Sequence, residues 1–227
     1  MSFAKKAAMV LAIVVSISTG VWAQRMGRGM GQQPPRMPGQ FKPVVGSGAQ
    51  YEMKAKDHTM NFAYAVVGKE DVAGSPGYWM EIRTEMPEMQ GETVMKQLMV
   101  MEGGKADIKR MITQAPGRPP MEMPVGMMSG MMKQGQQSSE AAKDEGAGEK
   151  VGTETVTVPA GTFVCEHYRK QQGKTPVDFW VSTQVSPYGV VKMTGADMTM
   201  VLKKILSNET SHIKGEPQKM NFEMPHF

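Results

Sequence analysis

The sequence contains one cysteine, Cys165, in 227 residues. A single thiol cannot close an intramolecular disulfide, so packing and backbone hydrogen bonds must hold the fold. Net charge is also scarce. The formal value is +4, and it falls to +2 once Lys5 and Lys6 are removed with the leader described below. That excess is too small to mark a nucleic-acid partner, and none is expected. Apart from residues 7–19, no long apolar run occurs, and those 13 residues are too few for an ordinary membrane-spanning helix. Catalytic signatures are missing as well. There is no G-x-S-x-G, H-E-x-x-H, C-x-x-C or phosphate-binding loop, and the four histidines (His58, His167, His212, His226) are scattered. The expectation is a protein that is not an enzyme.

What is present begins with an export signal. Lys5 and Lys6 form a basic start, residues 7–19 an apolar segment, and Val21-Trp22-Ala23 a small-residue cleavage site before Gln24. Residues 1–23 are therefore expected to be removed, leaving a periplasmic or secreted chain with no membrane span. No cysteine follows the cut to carry a lipid. Residues 24–48, rich in Gly, Pro, Gln and Met, show no period that would bury a face and are expected to form a disordered tether.

From Gln50 the period becomes two, the mark of half-buried strands. Tyr51, Met53 and Ala55 alternate with charged neighbours, and Met60, Phe62, Tyr64 and Val66 form one strongly apolar face. Residues 78–86 and 106–113 continue the pattern, with Ile108 and Ile112 sharing a face, while residues 93–101 fit either a strand with Val94, Leu98 and Val100 inward or two turns of helix, the flanking Gly91 and Gly103-Gly104 favouring the strand. After a break, residues 153–158 and 162–170 flank Pro159-Ala160-Gly161, a turn in which Pro presets φ and Gly accepts a positive one. Residues 177–182, 190–193 and 198–203 alternate in the same way. The expected fold is mainly β: a strongly curved antiparallel sheet of nine or ten strands, open or half-closed, with little helix. It occupies residues 49–206 as one domain. Residues 114–150, with their Pro, Gly and Met clusters, read as a long disordered insertion holding at most a short helix near 138–143. Residues 207–227 read as a loosely attached C-terminal tail.

Val156-Thr157-Val158-Pro159-Ala160-Gly161-Thr162-Phe163, then His167-Tyr168-Arg169, Phe179-Trp180-Val181-Ser182 and Pro187-Tyr188-Gly189-Val190-Val191-Lys192 together resemble a group of secreted bacterial proteins of unknown function. Val67-Gly68-Lys69-Glu70-Asp71 and Gly77-Tyr78-Trp79-Met80-Glu81 extend the resemblance over most of residues 50–205. In architecture such proteins are similar to periplasmic lipoprotein carriers, whose curved sheet cups an apolar cavity. The resemblance implies a site for an acyl chain or another hydrophobic ligand, and nothing catalytic.

Three functions follow as expectations. The first is an exported β-domain that binds a hydrophobic ligand or lipidated partner on its concave face, with Phe62, Tyr64, Trp79, Phe179 and Trp180 as candidate contacts. The second draws on the 25 methionines. Soft thioethers select Cu(I), and Met121, Met123, Met127, Met128, Met131 and Met132 fall within twelve positions. They are the candidate copper ligands, the only cofactor considered. Methionine also replaces Leu and Ile in the strands, which points instead to adaptable packing. The third is a structural envelope protein. Cys165 and His167, two residues apart, read as sheet residues rather than a nucleophile and its base.

Overall fold

The computed structural model describes residues 41–55, 58–85, 91–102, 105–124, 148–172 and 175–219. The leader, most of the tether, most of the insertion and the end of the tail lie outside these residues. Among the described residues there is no helix and there are twelve strands. They are β1 (Gly48–Ala55), β2 (His58–Val72), β3 (Ser75–Glu85), β4 (Glu92–Glu102), β5 (Lys105–Gln114), β6 (Met121–Met123), β7 (Glu149–Val158), β8 (Gly161–Gln172), β9 (Thr175–Val181), β10 (Val190–Thr194), β11 (Met198–Leu206) and β12 (Gln218–Lys219). The strands expected from alternation are all present. The two that alternation does not reveal, β6 and β12, have three and two residues, too few to show a period.

All twelve belong to one open sheet, ordered β12-β6-β5-β4-β3-β2-β1-β11-β10-β9-β8-β7. Neighbours are antiparallel except β12 and β6, which run parallel. The sheet is mainly β as expected and does not close into a barrel. At the β7 end it curls. The β7–β8 turn comes back against β11, where Ala160 N–H donates to Leu202 O at 3.4 Å. Val158 and Phe163 from that hairpin share one buried cluster with Leu202, Met193, Tyr51 and Tyr64, and this cluster defines the inner face. No helix fills the curl among the described residues; the hairpin and the sheet's own aromatic rings occupy it. A smaller cluster of Trp79, Leu98 and Ile112 lies on the outer face.

Register explains which residues fall on which face. Between β4 and β5 it shifts at Leu98/Met99, so Arg110 pairs with Leu98 while Ile108 pairs with Met99. The extra residue inverts the alternation. Ile108 therefore joins the inner cluster and Ile112 the outer one, correcting the expectation of a shared face. Leu98 is buried as expected, but on the outer face.

Two glycines are fixed by geometry. Gly161 closes the Pro159-Ala160 turn with φ 139°, in line with the turn chemistry. At Gly48 a Cβ would sit 2.4 Å from the Tyr64 carbonyl oxygen, where the β1–β2 ladder begins at the Gly48–Ala65 pair. Gly48→Ala should cost about 1–3 kcal/mol, the scale of overpacking in a tight site, read as a lower denaturation midpoint with an unchanged denaturant slope.

Both flanks are more tightly held than expected. Within the stretch assigned to the tether, Phe41 packs on Tyr78 and Tyr188. Lys42 N–H donates to Pro187 O, and Gly46 N–H to Val66 O at 2.7 Å. Residues 207–219, expected as a loose tail, run across the outer face of β3, β4 and β5 as a strap and end in β12.

Candidate functional site

The aromatic residues proposed as ligand contacts do not converge. On the inner face Phe62 stacks on Tyr51 at 5.5 Å and meets Tyr64 edge-on at 5.5 Å, while Tyr64 meets Tyr188 at 5.6 Å. Tyr51 is 2% exposed and donates its phenol to Val190 O at 2.9 Å. Burial raises the Tyr51 and Tyr64 phenols well above their ordinary pKa and pushes Tyr188 up to about 12. Phe179 is 3% exposed in the same cluster. Tyr64 and Phe179 are thus core and half-buried Phe62 packs against them, because offset and edge-on rings fill the space between curled strands efficiently. They do not line an open cup.

Trp79 lies on the opposite face, buried with Leu98 and Ile112. Its Nε1–H donates to Glu70 Oε2 at 2.8 Å, and Lys96 Nζ and the Arg110 guanidinium lie 4.8 and 5.1 Å from its ring. Burial holds Lys96 below its ordinary pKa against the pull of Glu81. Trp180 stacks on His167 at 4.5 Å, donates Nε1–H to Glu154 Oε1 at 2.6 Å, and carries Lys192 Nζ over its ring. These tryptophans are occupied by partners from their own sheet.

The Cys165/His167 neighbourhood is structural. His167 Nε2 lies 2.7 Å from Asp178 Oδ1 and its Nδ1 3.1 Å from Glu154 Oε1. Both ring nitrogens are taken by carboxylates, so neither is left to receive a proton from the thiol. Burial works to raise the Asp178 carboxyl, but hydrogen bonds from Arg169 and His167 outweigh it and hold the group below its ordinary pKa. Cys165 is fully buried, and burial and nearby Glu154 push its thiol up to about 11, the reverse of an activated nucleophile.

The outer face holds a polar cluster that alternation does not announce. Glu81 is 0% exposed. Its carboxylate accepts from Ser211 Oγ at 2.8 Å and from the His212 backbone N–H at 3.0 and 3.1 Å. Arg83 beside it binds Glu209 Oε2 at 2.7 Å and His212 Nε2 at 2.5 Å, and His212 Nδ1 faces Glu92 Oε2 at 2.8 Å. An imidazole with its proton on Nδ1 satisfies both of those contacts. Gln114 and Lys214 exchange two further bonds. Ala63 and Ala65, which pair with Arg83 and Glu81, carry side chains small enough to leave the strap room. This cluster fastens the strap.

A different set of side chains remains on offer. Ile82 pairs with Met95, Met95 with Thr113, and Thr113 with Met121. One step along, Met80 pairs with Gln97, Gln97 with Met111, and Met111 with Met123. Paired residues share a face, and Met80 and Ile82 belong to the inner cluster. Both rows therefore lie on the inner face, where it runs out from the filled core toward the β6 edge. Met95, Met111, Met121 and Met123 are each half-buried. Of the six candidate copper ligands, only Met121 and Met123 are among the described residues, and they sit in a strand. A separate open depression of about 500 Å³ at the β2–β3 turn is lined by Lys69, Glu70, Asp71, Gly74 and Pro76. It lies open to solvent, with three charged side chains, Lys69, Glu70 and Asp71, on its wall.

The fold and face together define a mainly-β protein: one open, curled, almost entirely antiparallel sheet with a methionine-lined margin. No protein-family model matches the chain, and no curated protein matches it. Solved structures that match include a candidate exported protein with a YmcC-like fold from Bacteroides fragilis, 13% identical with a TM-score of 0.37. Another is a candidate lipoprotein from Parabacteroides distasonis, 13% identical with a TM-score of 0.38. Each match covers 74% of this chain and 99% of the other. Likeness at this level carries no function across.

Proposed function

We propose that this chain is an exported, non-catalytic β-domain that holds an apolar ligand of acyl-chain type, free or attached to a partner, against the inner face of β3–β6. Half-buried Ile82, Met95, Met111, Met121 and Met123, interspersed with Thr113 and Gln97 on the face that elsewhere forms the core, carry this reading. Methionine suits such a surface because its unbranched thioether adapts to irregular apolar shapes. Export rests on the basic, apolar and small-residue segments of the leader.

Native mass spectrometry of gently purified protein and titration with a fluorescent fatty acid test the proposal. Co-purifying lipid separates an attached or stored chain from a freely exchanging one. Met111→Glu should weaken fatty-acid binding about tenfold or more, since a carboxylate there loses water without gaining a partner. Neither co-purifying lipid nor fatty-acid binding, or equal binding by the variant, would sink the proposal.

A further inference from the structure

We infer that Met111 is the centre of a soft-metal site for Cu(I), completed by Met123, Met95 and Met121. The register places these four thioethers on one face of three adjacent strands. Met111 and Met123 are directly paired. Met95 and Met121 both pair with Thr113, two residues from Met111 along β5, and so flank it on diagonals from either side. Direct neighbours have Cβ atoms about 5 Å apart and diagonal ones about 7 Å. Methionine has three rotatable bonds before its methyl group, so sulfurs starting from those positions can meet at a common point. All four are half-buried, which leaves them reachable from solvent. Met95 already turns its sulfur to a polar partner, accepting from Gln97 Nε2 at 3.5 Å.

The donor set selects the ion. Thioethers are neutral and soft, and they favour Cu(I) over zinc or the hard divalent cations. Among the described residues no group of three or more His, Cys, Asp or Glu is placed to hold a metal, so nothing harder competes at this position. Because a thioether has no proton to lose, binding here does not change with mild acid, unlike a site built from His or Cys. The ion is bound as Cu(I) and no electron is transferred. The site does not depend on the acyl-chain proposal, because its titration contains no fatty acid. Met→Leu keeps volume and apolar character while removing the sulfur.

The test is an anaerobic titration of the full chain with Cu(I), kept reduced by ascorbate, in competition with bicinchoninate. The wild type should withdraw one Cu(I), with an affinity that is flat from about pH 5 to 8. Met111→Leu with Met123→Leu should weaken it by at least about tenfold, the scale of loss when metal sites lose support. The thermal midpoint should stay at the wild-type value. Any of three results would overturn the inference: no competition by the wild type, equal affinity in the double variant, or affinity that falls in acid. A variant with Leu at 127, 128, 131 and 132 must retain the strand-borne equivalent, and its loss there would also count against the site.

Discussion

Glu81→Ala is expected to free residues 208–214 from the sheet and to lower stability by about 2–6 kcal/mol, since two donors lose their acceptor at about 1–3 kcal/mol each. Among the described residues the carboxylate is the one acceptor for both the His212 backbone N–H and Ser211 Oγ. Without it both donors are stranded between the strap and the sheet. A chain of this size should show a fall of about 2–4 °C in Tm per kcal/mol. Amide exchange at His212 and Lys214 should rise to the rate of an open segment. Glu81→Gln, which keeps one acceptor oxygen, should cost less. Unchanged exchange across the strap would mean that Glu81 does not fasten it.

Tyr51→Ala should be the most damaging single change on the inner face. The ring is 2% exposed, stacked on Phe62 and edge-on to Tyr64, so truncation leaves a cavity among residues that the curled strands hold apart. Large aromatic truncations of this kind cost about 3–5 kcal/mol. Tyr51→Phe keeps the ring and loses only the bond to Val190 O, for about 0.5–1.5 kcal/mol. Denaturant unfolding of both variants measures the gap. A Tyr51→Ala protein as stable as Tyr51→Phe would show that the curl is not packed around this ring.

The architecture was legible because its strands alternate strongly and their turns carry Gly and Pro. Burial on one face dictates the pattern in Met60–Val66 or Val177–Val181, whatever the neighbours. Register between strands is not written locally. The shift at Leu98/Met99, which sends Ile108 and Ile112 to opposite faces, depends on how β4 meets β5. Aromatic residues look alike in sequence whether they fill a core or line a cavity, and only the returning β7–β8 hairpin shows that Phe62, Tyr64 and Phe179 are packed. The strap was missed for a related reason. Residues 207–219 are polar and lack a period, yet Ser211, His212 and Glu209 are the partners that buried Glu81 and Arg83 require. A charged pair at alternate positions of β3, on the same face as Trp79, was the one available signal that something polar covers that face. Methionine enrichment was visible from composition, but its grouping was not. Met95 and Met111 are distant from Met121 in sequence and become its neighbours through two hairpin ladders.

The account turns on where the inner face is open and where it is filled. A photoreactive fatty acid, bound to the full chain, irradiated and mapped by peptide mass spectrometry, measures this directly. Adducts on β4, β5 and β6, around Met95, Met111 and Met121, with none on Phe62, Tyr64 or Phe179, are the expected result. Adducts concentrated on Phe62, Tyr64 and Phe179 would contradict it, since the ligand would then occupy the curl that these side chains are held to fill.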